Sequence, residues 1–576
     1  MILQALTSLY EALAQKGEIS KEGWSREKIS FALGIDENGD LLRITPLFET
    51  VDMPKGKKKE EPQKMMVPIK EKNTGPKFLW GNSGFILGAA NKKTPEKAKE
   101  NFEENRQLHH QLLDEVDSPA AKAILNFLDG WKPEKTTENE LVAQYASELL
   151  GSANMVFRFN GKFMHEIPEL SAAWQTHYGA AQNEKGQCLI TGMLDTIERT
   201  HPFIKDVQGA NPAGAALVSF KWPAFCSYNK ENNYNAPVGK YAAFAYTTAL
   251  NHLLADKSNV HRIGDASVVC WAENADKQYE DFAAEVFFGD NVDKSDEQRL
   301  SALRTSLKLL ADGLPCKEMD LDPDRKFYIL GLSPNNGRIA VRFFYCDSFG
   351  KIAGNIYKHH ERLEIVRPSY DKFPILPLWK LLSATVNPNA KDKTPNAAMA
   401  GAVARAVFSG GRYPASLLEY TFLRIKAERS ITRERAAIIK AYYLRNPNEK
   451  CPKEVLTVSL NENSKNIPYT LGRLFSVYEE IQQAANPGIN TTIKDRYFGS
   501  AAAMPATVFP ILSNLAQKHL RKLSDAQRVY LDKKVMTLKS VLGEQYPAHM
   551  SLPEQGSFDL GYYHQTQARY TKKEDK

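Results

Sequence analysis

The 576 residues, 43% hydrophobic and 25% charged, have an ordinary globular composition, which excludes a disordered, collagenous or coiled-coil chain. A formal net charge of +7 is small for that length, so any polyanion must be met by local clusters rather than by the whole surface. One core cannot serve so long a chain, and roughly three to four folding units are expected.

The chain opens with "MILQALTSLYEALAQKG", whose apolar residues Ile2, Leu3, Leu6, Leu9 and Leu13 form a helical stripe, without the basic leader and cleavage site of a signal peptide. No window reaches the near-continuous apolar run of about twenty residues that a bilayer demands, and a cytoplasmic protein is expected. Three segments then read as β-hairpins, around Asn38-Gly39, Asn160-Gly161 and Asn336-Gly337, because Asn-Gly supplies the positive φ angles of a two-residue turn. Between the first two, "MPKGKKKEEPQK" at 53–64 has no apolar period and reads as a solvated loop. From about residue 375 the alternation of strands gives way to helix-period stripes, as in "MAGAVARAVFSGG", "SLLEYTFLRIKAER" and "ITRERAAIIKAYYLRN", the last opening at Thr432 as N-cap. A further set, "LGRLFSVYEEIQQAA", "TVFPILSNLAQKHLRKL" and "SDAQRVYLDKKVMTLKSVL", begins near Tyr469. The expected fold class is α+β and multi-domain: a mixed hairpin and helix region over 1–374, a helical bundle with a basic face over 375–455, and a second bundle over 456–576.

Catalytic patterns are missing. There is no phosphate-cradling lysine loop, no H-E-x-x-H and no nucleophile elbow, since "WGNSGF" at 80–85 has the wrong spacing. Six cysteines (Cys188, Cys226, Cys270, Cys316, Cys346, Cys451) lie far apart and read as buried, reduced thiols. Two His-His pairs, His109-His110 and His359-His360, lie in helix-like sequence, where neighbours point about 100° apart, so they read as surface or capping residues rather than ligands. The acids of "DLDPD" at 320–324 read as an Asp-Pro turn. No enzyme, metal or cofactor is expected.

What the chain offers instead is cations mixed with amides and aromatics. "CSYNKENNYNAP" at 226–237 is a long irregular segment before a helix; asparagine can pair with adenine, lysine can meet phosphate or guanine, and tyrosine can stack or wedge. The alternative is a polar loop that uses asparagine for its turns. A second set, Arg424, Lys426, Arg429, Arg433, Arg435, Lys440 and Arg445, with Lys518 and Arg521 further on, is either a solvated helix face or a track for a nucleic-acid backbone. On these residues alone the chain is a non-enzymatic, multi-domain nucleic-acid binder.

Several longer segments, "SYNKENNYNAPVGKYAAFAYTTALNHLL", "FYILGLSPNNGRIAVRFF", "LPLWKLLSATV", "LGRLFSVYEEIQQAANPGINTTIKDRYFGSAAAMPATVFPIL" and the closing "LGYYHQ", resemble the large subunit of the type I-C CRISPR Cascade surveillance complex, the Csd-type family, over essentially the whole chain. The resemblance implies a non-catalytic subunit that checks the protospacer-adjacent motif (PAM) in double-stranded DNA, opens the duplex, stabilises the R-loop and recruits a helicase-nuclease for antiviral defence, while the guide RNA reads the sequence. It implies as partners the guide RNA (crRNA), target DNA and its displaced strand, the Cascade backbone subunits, the subunit gripping the RNA 5′ end and small subunits. By motif position, Lys77 and Asn82 in "KFLWGNSGFILG" and Ser227, Tyr228, Lys230, Asn232 and Asn235 would touch the PAM, and the Phe-Leu and Phe-Ile pairs of the first motif would supply the wedge. Where relatives often carry Asp-Asn, this chain has Gly81-Asn82. Arg424, Arg433, Arg435, Lys440, Lys518 and Arg521 would follow a strand backbone. "FDLGYYHQ" would seal the helical unit after its last helix. The resemblance also implies a separate small subunit made from within the gene; no methionine lies between Met399 and Met504, so its start would be a non-AUG codon near Val455, Leu456, Val458 or Leu460. The competing readings are a general single-strand binder and a metal-dependent nuclease.

Overall fold

A computed structural model describes residues 1–570 except 54–56, 71–74, 91–93, 152, 180–183, 290–296 and 372. The chain divides into two compact units, an N-terminal one (Leu6–His201 with Phe220–Ala249) and a C-terminal one (Met1–Ala5, Pro202–Ser219 and Leu250–Lys576). Its architecture is mixed α/β, with sheets and helices first and an all-helical region last. The expected boundaries at 374/375 and 455/456 both fall inside the C-terminal unit.

In the N-terminal unit the strands are β1 (Trp24–Ile29), β2 (Phe31–Ile35), β3 (Leu41–Pro46), β4 (Phe48–Met53), β5 (Lys57–Pro68), β6 (Trp80–Asn82), β7 (Asn154–Phe159), β8 (Lys162–Phe163), β9 (Lys185–Gln187) and β10 (Leu194–Thr196). One sheet runs β3-β2-β7-β6 with β8 beside β7, and β2 and β7 are parallel. Every residue of β2 is buried, and its period of two sorts them: Phe31, Leu33 and Ile35 join Phe127, Phe157 and Trp174 on one face, while Ala32 joins Ile29, Trp80 and Val156 on the other. Burial of both faces makes "FALGI" a continuous apolar run rather than an alternating one.

Two of the Asn-Gly turns have both central residues at positive φ, Asn160 with Gly161 (46° and 79°) and Asn336 with Gly337 (44° and 83°). At the first hairpin only Gly39 is positive, at 87°, because the Asp36 carboxylate accepts the N–H groups of Asn38 and Asp40 and organises a longer loop. The solvated loop expected at 53–64, of which 54–56 lie outside the described residues, is corrected by β5, which pairs with β1 on one side and β4 on the other. Its Glu61 finds a partner across the strands, Lys28 Nζ lying 2.7 Å away, so polarity here marks a solvent-facing ladder.

The C-terminal unit carries an antiparallel sheet, β11 (His261–Ile263), β12 (Ala266–Ala272), β13 (Lys326–Asn335) and β14 (Arg338–Ser348), in that spatial order. One face of it and the helices after residue 349 share a single apolar core running from Ile263 to Tyr563. The segment expected to follow the last helix is itself a helix, Leu552–Ala568, opened by a capping box between Ser551 and Glu554. It is buried all round from Gln555 to Gln565 and lies inside the bundle rather than sealing it. A further helix, Ile493–Ala503, opens on a capping box at Thr492.

Candidate nucleic-acid interface

The stretch 221–239 leads into the helix Lys240–Ala255 through two short 3-10 turns, Pro223–Phe225 and Asn232–Asn235. Between them Tyr228 and Asn229 both sit at positive φ, 53° and 57°, and the Lys230 N–H closes the turn on the Ser227 carbonyl at 3.0 Å. That is type I′ geometry, which non-glycine residues adopt at a cost the surroundings must offset. Asn235 offsets it. Its Oδ1 accepts the Ser227 N–H at 2.8 Å, and its Nδ2 donates to the carbonyls of Lys230 and Asn232 at 2.8 and 2.9 Å. These three bonds inside the loop make Asn235 its staple. Asn233 is buried and ties the loop down through its N–H to the Arg199 carbonyl at 3.2 Å. The result is a fixed platform that exposes Lys221, Trp222, Phe225, Ser227, Lys230 and above all Tyr228, at 95%. Asn232, half-exposed, begins the second 3-10 turn. Cation, amide and ring are thus offered together on one surface.

Lys77 and Asn82 form a second group. Lys77 is half-buried with its Nζ 3.8 Å from the centroid of the Trp80 ring, whose Nε1 donates to the Pro68 carbonyl at 2.8 Å. Asn82 caps the single-turn helix Ser83–Ile86 by accepting the Gly84 N–H at 3.1 Å. The wedge expected here is corrected: Phe78, Leu79, Phe85 and Ile86 are all buried, and Phe78 is stacked between His109 and Trp174, so none can enter a base stack without dismantling the core. Leu79 holds a positive φ of 60°.

The basic helices divide. Arg433, Arg435 and Lys440 are buried, which corrects their assignment to a strand backbone. Arg433 donates to the carbonyls of Phe373 and Pro374 and pairs with Asp371 at 2.9 Å. Arg435 donates to the carbonyls of Ala384 and Ser430 and to Glu428. Lys440 donates to the Arg362 carbonyl at 3.1 Å, and burial pushes its pKa down to about 8. These cations satisfy inward-turned carbonyls, which a buried chain must pair. Arg424 is half-buried near Glu428, and Arg445 donates to the Gly411 carbonyl. Lys426, Arg429, Lys518 and Arg521 remain exposed, the last two at the end of the helix Pro505–Leu520.

A family model described as CRISPR-associated protein (Cas_Csd1) matches residues 6–570. The chain belongs to this family. The Csd1 family is that of the type I-C Cascade large subunit, so the resemblance read from the sequence holds over nearly the whole chain. No curated protein matches it.

His109 and His359 are buried rather than surface residues; His109 Nδ1 donates to the Asn105 carbonyl at 2.7 Å and Nε2 accepts the Leu79 N–H at 3.0 Å. Burial drives its pKa down to about 4. His359 pairs with the Tyr413 hydroxyl at 2.6 Å. All six cysteines are free; four are buried, Cys226 is intermediate and Cys346 exposed. Among the described residues no group of three or more His, Cys, Asp or Glu is placed to hold a metal ion, and no helix is long and apolar enough to cross a membrane. In "DLDPD" the Asp322 carboxylate accepts the Asp324 N–H at 2.9 Å, the Asp-Pro turn expected.

Proposed function

We propose that this Csd1-family chain is the non-catalytic large subunit of a type I-C RNA-guided complex, which recognises the PAM in double-stranded DNA, helps open it, stabilises the R-loop and brings in a helicase-nuclease. The observation that carries the reading is the 221–235 platform, where Tyr228 and Lys230 stand exposed on a turn that Asn235 holds rigid. A preorganised turn loses little entropy on meeting DNA, and exposed lysine, asparagine and tyrosine match groove edges and phosphates. The guide RNA, backbone subunits, 5′-end subunit and small subunits are the partners of this reading, and Lys518 and Arg521 are its surface cations for a strand backbone.

The test uses the chain assembled with guide RNA and partner subunits. Lys230→Ala with Asn232→Ala should weaken binding of PAM-bearing duplex by about 1–3 kcal/mol for each base that is no longer read. Binding of an already single-stranded, guide-complementary target should barely change. Equal weakening on both substrates would refute PAM reading by this loop. Single-strand binding by the isolated chain without guide, or cleavage by it with magnesium or manganese, would replace the reading with one of its competitors.

A further inference from the structure

Behind the Asn82 turn lies a group of buried polar side chains with nothing to bond. Asn101, Asn105 and His109 stand four residues apart, and so on one side of the helix Pro95–Leu113. That side faces the segment 79–86: His109 accepts the Leu79 N–H, and Asn101 Nδ2 lies 3.7 Å from the place where a Cβ on Gly84 would stand. Asn105 comes between them along the helix. Asn101 is 2% exposed, and Ser83 and Asn105 are fully buried. Among the described residues the Ser83 hydroxyl, the Asn101 Nδ2 and both ends of the Asn105 amide find no hydrogen-bond partner.

Apolar side chains would fill these places with no polar atom to bury, and buried polar groups left unanswered are costly, so the group calls for a bound species. The space for it opens in front of Gly84. A Cβ there would meet Asn82 Oδ1 at 3.3 Å and Ala90 Cβ and Asn101 Nδ2 at 3.7 Å, which leaves between them a cradle the size of a methyl group or a water. The Asn105 amide decides the chemistry. Unpaired at both ends, it brings a donor and an acceptor whichever way it is turned, and the Ser83 hydroxyl is also both. Water answers donors and acceptors alike, whereas a metal cation would be met by N–H groups and an anion by a carbonyl.

We propose that ordered water fills the cradle between Asn82, Gly84 and Asn101, continues to Ser83 and Asn105, and positions the Asn82 amide. Asn82 Oδ1 already accepts the Gly84 N–H at 3.1 Å, and a water between it and Asn101 Nδ2 gives the same oxygen a second donor. The half-exposed amide is then held with its oxygen inward and its N–H groups toward the surface. The inference rests on the reading of Asn82 as a PAM contact: Asn82 touches the base, while Ser83, Gly84, Asn101 and Asn105 are positioning residues. Gly84 belongs to the site because a Cβ there takes the place of the water.

The test has two arms. A crystal structure of the wild-type chain, at a resolution that shows buried water elsewhere in it, should show water between Asn82 Oδ1 and Asn101 Nδ2. In the assembled complex, Gly84→Ala and Asn105→Leu should each bind PAM-bearing duplex about tenfold more weakly, as for the loss of one base contact, and bind a guide-complementary single strand as wild type does. Asn105→Ser, which keeps a donor and an acceptor, should bind the duplex as wild type. An empty cradle, or a metal ion in it, would overturn the water site. Wild-type duplex binding by both Gly84→Ala and Asn105→Leu, or equal weakening on both substrates, would overturn the positioning role. Should Asn82→Ala bind the PAM duplex as wild type does, the PAM reading of Asn82 fails by itself, and the crystal structure still decides the water site.

Discussion

The Nε2 of His109 accepts the backbone N–H of Leu79 at 3.0 Å, from a helix thirty residues further along the chain. Leu79 needs that acceptor, because it is fully buried and an unpaired N–H there would be costly. With Nδ1 donating to Asn105, the ring serves both bonds only when neutral.

His109→Phe should therefore leave a buried N–H unpaired and destabilise the N-terminal unit by about 1–3 kcal/mol, with His109→Gln costing less because its amide oxygen can accept. The pH dependence follows in sign. The folded pKa of about 4 lies below the ordinary histidine value, so the stability His109 contributes is present above the unfolded pKa and is lost as pH falls toward 4. Over that window wild type should lose up to about 1.4 kcal/mol per pH unit through this group, and the Gln variant should lack that share. Thermal unfolding followed across the window in both proteins checks it; identical pH slopes would assign the acid sensitivity elsewhere.

Parts of this architecture are legible in the sequence because the deciding interactions are local. Asn-Gly between alternating apolar residues dictates a turn whatever lies around it. Other parts depend on residues far away. The cations of "ITRERAAIIKAYYLRN" look like a polar face, yet Arg433 and Lys440 answer carbonyls 59 and 78 residues distant in the chain. "FDLGYYHQ" hides its helix because a helix buried on every side has no apolar stripe. In the candidate interface the loop is legible by composition, whereas the bonds by which Asn235 holds it are not, since they depend on its folded shape.

Asn235 separates a loop's rigidity from what the loop touches. Asn235→Ala removes three hydrogen bonds inside the loop and no charge, so it should weaken PAM-duplex binding while leaving the salt slope of binding unchanged. Lys230→Ala should lower that slope by about 0.9 for each phosphate the lysine neutralises. Titrations of the assembled complex at several salt concentrations distinguish them, and a changed slope for the Asn235 variant would show that its side chain meets DNA.

The buried arginines should behave as structural groups. Arg433→Ala removes a partner from Asp371, whose carboxyl burial alone would raise but which the Phe373 N–H, Arg433 and Lys380 together hold below the usual range. Breaking such a pair from one side costs about 3–5 kcal/mol. Loss of thermal stability with no change in the salt slope is expected. Lys518→Ala with Arg521→Ala should do the opposite, since both side chains are exposed.

Helices Ile467–Ala485 and Leu552–Ala568 meet through reciprocal glycines: a Cβ at Gly472 would enter the Phe558 carbonyl, and one at Gly561 the Tyr469 carbonyl. This crossing gives "LGYYHQ" its glycine. Gly561→Ala should destabilise the bundle by about 1–3 kcal/mol even though alanine favours helix, because backbone cannot yield as a side chain can. Denaturant unfolding of the variant checks it, and a gain in stability would mean the helices separate without penalty.

The same helix bears on the separate small subunit. One of its sides is held within 456–576, where Tyr469 pairs with His564 and Arg473 donates to Gln565. The other lies on residues before that boundary: a Cβ at Gly556 would touch Tyr443 and Ile439, and the Tyr563 hydroxyl donates to the Val366 carbonyl. A product begun near Val458 keeps the glycine crossing, whereas one begun at Met504 loses the Ile467–Ala485 helix that makes it. The short product would then present the Gly556 and Tyr563 side of its central helix to water and need a new partner for it. Expression of the gene with a C-terminal tag should yield, beside the full-length chain, a tagged species whose mass fits a start between Val455 and Leu460. Synonymous recoding around Val458 should abolish it. A tagged product of full length alone, in a complex that still binds target DNA and holds no extra small helical subunit, would end the idea.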